Sequence, residues 1–157
     1  MFVRALLATA IRLFSLVVFI ASPTVAVAGA YFEQAGVAIR GYDAVAYFTQ
    51  GKPVKGSSAF AADYQGSTFH FSSAAHRDAF VADPAKYAPQ YGGFCAFGTS
   101  RGYKAAIEPS AFTVVDDKLY LNYNRDVQQQ WRRDIAGHVR TADRNWPEVS
   151  KQTKVVQ

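Results

Sequence analysis

A hairpin followed at once by a capped helix constrains how this chain can fold more than any other feature of the sequence. Two runs rich in aromatic residues, 60–64 and 67–71, flank Gln65-Gly66, where glycine can take the positive φ angle of a tight turn. In the second run, apolar and polar residues alternate, which is typical of a strand with one buried face. These residues therefore predict an antiparallel hairpin.

The helix that follows has clear start and stop signals. Ser72 or Ser73 is placed to cap a helix over residues 74–83. Pro84 cannot continue that helix, so we expect a break and a second turn that ends near Tyr87.

The rest of the chain also predicts short elements. Asp43 is placed to cap a helical turn, and a second hairpin is expected to join residues 112–115 to residues 118–121. The pattern has no repeats and no low-complexity linker. The predicted fold class is α+β, a small single domain of short antiparallel β-hairpins packed with short helices.

The C-terminal part predicts two helices. Asn124 is placed to cap the first helix, whose apolar residues Val127, Trp131 and Ile135 lie on one face. Gly137 is expected to interrupt this helix. A last helix is predicted over residues 138–145, because Pro147 disfavours helix just before it. The polar residues after Pro147 favour a flexible tail.

The N-terminal segment is typical of a secretory signal peptide. An apolar run over residues 13–21 has nine residues, well short of the roughly 20 that a membrane-spanning helix needs. Residues 26–28, Ala-Val-Ala, suit a signal peptidase, so we expect cleavage after Ala28 and a periplasmic or secreted protein without a stable membrane span. The predicted organisation is a signal peptide at 1–28, a domain with C-terminal helices at 29–147 and a tail at 148–157.

The charge pattern argues against a nucleic-acid partner. The chain has 17 Lys and Arg against 12 Asp and Glu, a net charge of +5. The basic residues are dispersed among acidic ones and form no run, whereas nucleic-acid-binding domains cluster them on one face. No feature of the sequence identifies a protein partner.

Cys95 is the only cysteine, so it cannot form a disulfide within the chain. In an exported protein it must be buried, reactive, metal-bound or paired with another chain. Its neighbours Phe94 and Phe97 favour a buried thiol, and a metal or redox role is the main alternative.

Several segments, in order, resemble one family. They are GYDAVAYF at residues 41–48, KGSSAFAADYQGSTFHFSS at residues 55–73 and FVADPAKYAPQYGGFCAFG at residues 80–98. Together they resemble a YHS domain, in the exported, single-domain branch of that family. The resemblance implies a small α+β module of a kind often associated with metal, especially copper.

Positions that are cysteines in some relatives hold Ala46, Ser72 and His76 in this chain. A thiolate-only copper(I) site therefore cannot be built within one chain, because copper(I) prefers soft sulfur ligands. The resemblance leaves a mixed site for copper or zinc, with His76, Cys95 and also His70 as ligands if the three converge.

Two alternatives to a metal-binding module are open. The first is a metal-free module for a small ligand or protein, with a groove lined by four aromatic residues: Tyr87, Tyr91, Phe94 and Phe97. The second is a single-cysteine thiol enzyme, with Cys95 activated by a histidine. The sequence contains no HExxH or CxxC motif, so a non-catalytic binding domain is the favoured prediction.

Overall fold

The computed structural model describes residues 30–157. The predicted signal peptide and its cleavage point after Ala28 lie outside the described residues.

Short strands and helices alternate along the described residues. The strands are β1 Glu33–Gln34, β2 Val37–Ala38, β3 Ser57–Tyr64, β4 Ser67–Phe71, β5 Lys104–Ala105, β6 Glu108–Val115, β7 Lys118–Asn122 and β8 Val155–Val156. The helices are α1 Ala44–Thr49, α2 Ala74–Ala82, α3 Pro84–Tyr87, α4 Ala96–Ser100, α5 Arg125–Arg132 and α6 Ile135–Val149. Two 3₁₀ turns lie at Ile39–Gly41 and Gln90–Gly93.

The strands pair two by two. β1 with β2, β3 with β4 and β6 with β7 form antiparallel pairs, and β5 with β8 forms a parallel pair. Both predicted hairpins are present, and their turns use positive φ angles at Gln65 and Gly66 and at Asp116 and Asp117. The α+β prediction, with short hairpins packed against short helices, is confirmed.

The core centres on one aromatic residue of α2. Phe80 is 1% exposed, and its ring centroid lies 4.9 Å from that of Phe69 and 5.0 Å from that of Phe71. The ring of Tyr64 meets it edge-on at 5.8 Å. The hairpin β3–β4 is therefore held against α2 by aromatic contacts, and Phe69 and Phe71 lie on one buried face of β4, as the alternation predicted.

The last helix is longer than predicted. α6 includes both Gly137 and Pro147. It begins before Gly137 because Asp134 caps it by accepting a hydrogen bond from the Gly137 N–H at 2.9 Å. Pro147 removes only one helical donor near the C-terminal end, and the helical bond from the Ser150 N–H to the Trp146 carbonyl is kept at 2.8 Å. Among residues 30–157, no helix has both the length and the apolar character needed to cross a membrane.

The segment predicted as a flexible tail is part of the fold. Val155 and Val156 pair with Lys104 and Ala105 as β8, and the Ala106 N–H donates to the Val156 carbonyl at 2.8 Å. Polarity alone suggested a loose tail, but the backbone groups of this segment find partners on β5.

The ring stack around Phe80 gives a stability prediction. We expect Phe80→Ala to lower the free energy of unfolding by about 3–5 kcal/mol, because it leaves a cavity among three aromatic rings. Val81→Ala, next to it on α2 and 61% exposed, should change that free energy by less than about 0.5 kcal/mol. Urea unfolding of the two variants checks this, and similar losses in both would contradict the assignment of Phe80 to the core.

Candidate functional site

The most strongly hydrogen-bonded side chain in the domain is a buried carboxylate, Asp43. Its Oδ1 caps α1 by accepting from the N–H groups of Val45 at 2.9 Å and Ala46 at 3.1 Å. Its Oδ2 accepts from the Ser72 N–H at 2.8 Å and from the Ser72 hydroxyl at 2.6 Å. Nδ1 of His76, on α2, lies 2.7 Å from the same oxygen. Asp43 therefore ties α1, the end of β4 and α2 together.

The hydrogen bonds decide the charge of Asp43. Burial acts to raise the pKa of the carboxyl, but hydrogen bonds from Ser72, His76 and the Ala46 N–H outweigh it, and the pKa lies below its ordinary value. Asp43 is thus a carboxylate at neutral pH.

The carboxylate fixes the orientation of the His76 imidazole. Oδ2 of Asp43 is an acceptor only, so the hydrogen bond places a proton on Nδ1 and leaves the lone pair of Nε2 available in the neutral imidazole. The side chain is 19% exposed, and Nε2 lies 3.5 Å from the Thr49 hydroxyl. That hydroxyl donates to the Val45 carbonyl at 3.1 Å, so its proton is committed elsewhere. Nε2 of His76 can therefore act as a metal ligand.

Cys95 is buried, and it lines a cavity of about 370 Å³. It is 2% exposed, at the N-terminal end of α4, where its sulfur accepts from the Gly98 N–H at 3.4 Å. The Asn122 Oδ1 lies 3.7 Å from the sulfur and accepts from it. Burial raises the pKa of the Cys95 thiol, so the group is a protonated thiol at neutral pH.

The predicted ligands His70, His76 and Cys95 do not form a three-residue site. Among residues 30–157, no three His, Cys, Asp or Glu side chains are grouped so that they could hold a metal ion. His70 is directed elsewhere: a methyl group on Gly41 would lie 3.6 Å from its Nδ1 and 3.5 Å from Nζ of Lys55. The spacing of the three residues along the chain did not predict where their side chains point.

The four aromatic residues predicted to line one ligand groove do not share one. They pack against different partners: Tyr87 against Phe48, Tyr91 against Tyr120 and Trp146, Phe94 against Phe32, and Phe97 against His138. Tyr91 also donates a hydrogen bond to Asp143 at 2.8 Å. Tyr91 and Phe97 line separate cavities of about 540 Å³ and 370 Å³. Most of this aromatic surface builds the core.

Sequence reasoning identified Asp43 only as a helix cap. Its second oxygen meets a histidine 33 residues further along the chain, and no local pattern signals such a contact. The capping residue of α1 is therefore also the residue that orients His76.

The comparison with family models matches residues 45–91 to the YHS domain. This part of the chain is similar to a YHS domain. The match runs from the first turn of α1 to the 3₁₀ turn before Cys95 and includes His76. No curated protein and no solved structure matches the chain. The similarity of residues 45–91 to the YHS domain suggests a metal-related role in general terms.

The side chains present in the YHS domain fit an imidazole ligand but not a thiolate site. Of the positions that the family resemblance singles out, Ala46 is buried and has no donor atom, and the Ser72 hydroxyl donates to Asp43. His76 alone among these three has a side-chain nitrogen, Nε2, that is available as a ligand, and its side chain is 19% exposed.

The Asp43 network predicts a specific pH dependence of stability. Because the folded-state pKa is depressed, stability from this carboxylate is fully present above its unfolded pKa of about 3.9 and is lost as the pH falls through the folded value. In Asp43→Asn, an amide N–H takes the place of Oδ2 and faces three donors, the Ser72 N–H, the Ser72 hydroxyl and the His76 imidazole. This substitution should lower the free energy of unfolding at pH 7 by about 2–3 kcal/mol.

Urea unfolding between pH 7 and pH 2 checks this. The difference between wild type and Asp43→Asn should shrink below pH 4, whereas Asp117→Asn on the exposed turn should behave like wild type. A constant difference across this pH range would contradict the assignment.

The surroundings of Cys95 predict an unreactive thiol. We expect a disulfide reagent to label Cys95 at least about 100-fold more slowly in the folded protein than in urea, because the thiol is buried and protonated. Absorbance of the released thiolate measures both rates. Rapid labelling of the folded protein would contradict the burial.

Proposed function

We propose that this YHS domain is a non-catalytic binding module that binds a copper or zinc ion weakly, with Nε2 of His76 as the ligand atom that this chain supplies. The observation that supports the proposal is the 2.7 Å contact between Asp43 Oδ2 and His76 Nδ1. Histidines that bind metals commonly donate their second ring N–H to a carboxylate, which fixes the tautomer and makes the ligand nitrogen more basic.

Asp43 acts in this proposal through His76 and does not contact the ion. Its side chain is fully buried, and both oxygens already accept hydrogen bonds. Copper and zinc usually take about four ligands, so water or groups from another molecule must complete the coordination. A single imidazole from this chain explains why the binding should be weak.

The groups around His76 favour binding over catalysis. A histidine held by a carboxylate can also activate a nucleophile, but the two hydroxyls within hydrogen-bond distance of the imidazole have committed their protons. The Ser72 hydroxyl donates to Asp43, and the Thr49 hydroxyl donates to the Val45 carbonyl. Cys95 is a buried thiol with a raised pKa, which argues against a thiol enzyme.

We also propose that the protein acts after export, in the periplasm or outside the cell. The support is the sequence of residues 1–28, with its short apolar run and the Ala-Val-Ala before the expected cleavage point.

A second candidate function is a metal-free module for a small apolar ligand. The cavity of about 370 Å³ beside Phe97 supports it, because three of its lining residues are exposed apolar side chains. Tyr103, Tyr123 and Val156 are 39%, 38% and 43% exposed, and exposed apolar groups around one cavity are typical of a ligand site.

Titration with Cu²⁺ and Zn²⁺ tests the metal proposal. The mature chain, prepared without a chelating tag and kept reduced, is titrated and followed by calorimetry. His76→Asn keeps an N–H donor near the Nδ1 position for Asp43 and removes Nε2, so we expect affinity to fall at least about tenfold without loss of the fold.

The matched controls are the other two histidines and the cysteine. His70→Ala, His138→Ala and Cys95→Ala should each leave metal affinity within about twofold of wild type. An affinity that His76→Asn does not change would refute the metal site, and absence of binding would favour the small-ligand module.

A further inference from the structure

Arg40 is a cation without a counter-ion among the described residues. Its Nε is buried and has no hydrogen-bond partner within residues 30–157. In the same part of the chain, no carboxylate lies within 4.0 Å of the guanidinium. A buried donor that is left unpaired is unfavourable, so this group requires an explanation.

The backbone that carries Arg40 adopts an unusual conformation. Ile39, Arg40 and Gly41 have φ angles of 44°, 59° and 71° in succession. A β-branched residue such as Ile39 rarely takes a positive φ, and strained backbone of this kind is found at functional sites. Ile39 is fully buried, and its N–H donates to the Phe32 carbonyl at 2.8 Å, so the core holds the turn in place.

Arg40 and Lys55 line the same cavity. This cavity has a volume of about 440 Å³ and is lined by Gln34, Ala35, Arg40, Tyr42, Lys55 and Pro109, a set with two cations and no acidic residue. Nζ of Lys55 donates to the Arg40 carbonyl and lies 4.7 Å from the centre of the Tyr42 ring. The ammonium group is thus positioned at the cavity and has further N–H donors to offer.

We propose that this cavity binds the oxyanion group, carboxylate or phosphate, of a small organic molecule. The guanidinium of Arg40 presents N–H donors in a planar fork that matches two oxygens of such a group, and Lys55 adds a second positive charge. A bound oxyanion neutralises two cations that have no ion-pair partner among the described residues.

The surrounding charges favour this cavity over its neighbour. Arg40 also lines a second cavity of about 440 Å³, but that one contains Glu108, whose carboxylate would repel an anion. The proposed site includes none of Asp43, His76 and Cys95, so it does not depend on the metal proposal.

Binding is tested with inorganic phosphate, succinate and the neutral analogue succinamide, on the mature chain after metal ions have been removed. Thermal unfolding and backbone amide chemical shifts are measured at increasing ligand concentration. We expect phosphate, succinate or both to raise the unfolding temperature and to shift the amide signals of residues 39–42 and 55, and succinamide to have no effect. Binding of phosphate alone indicates a phosphate ester as the ligand, and binding of succinate alone indicates a carboxylate.

Arg40→Met and Lys55→Met should each weaken oxyanion binding at least about tenfold, and Lys118→Met, at an exposed cation on β7, should leave it unchanged. Arg40→Met removes an unpaired buried donor, so the ligand-free variant should unfold at the wild-type temperature or above it. If Arg40→Met does not fold, Arg40→Lys is used in its place, because lysine keeps the positive charge but lacks the planar set of N–H donors of the guanidinium. Absence of binding up to about 10 mM, or binding that Arg40 and Lys55 variants leave unchanged, overturns the proposal.

Discussion

The carboxylate of Asp43 is buried and charged, and three elements of the domain meet at it. Moving a charge out of water is costly unless hydrogen bonds replace its hydration, and here the N–H groups of α1, both donors of Ser72 and the His76 imidazole do so. Because the donors come from separate parts of the chain, the charge is tolerated only when α1, β4 and α2 are in their native arrangement. The aromatic stack around Phe80 supplies the apolar part of the same arrangement.

The short segment from Ile39 to Asp43 contributes to both proposed sites, the anion cavity at Arg40 and the metal ligand His76. The left-handed turn at Ile39–Gly41 directs Arg40 to its cavity, and Asp43, two residues later, orients His76. The two sites have opposite preferences: an imidazole lone pair beside a carboxylate suits a cation, and a guanidinium with an ammonium group suits an anion. Gly41 lies between Arg40 and Asp43, so the turn at this residue separates the proposed anion site from the proposed metal site. Its φ of 71° is one that few other residues adopt readily.

Local structure was largely predictable from sequence. The turns at Gln65-Gly66 and Asp116-Asp117 and the caps at Asp43, Ser73 and Asn124 all depend on residues within a few positions of one another. Where the prediction was wrong, a distant partner decided the outcome: β8 forms because β5 offers backbone groups to it. The length of α6 is a smaller error of the same kind, because Pro147 lies where only one helical bond is lost.

The sequence by itself determined the class of fold, the YHS character of residues 45–91 and the inventory of three histidines and one cysteine from which any metal site must be drawn. Only the tertiary structure decided where these side chains point. His76 faces Asp43, His70 lies beside Gly41, and Cys95 is buried beside Asn122. The physical reason is that spacing along the chain sets which face of a strand or helix a residue occupies, while packing between elements sets what that face meets.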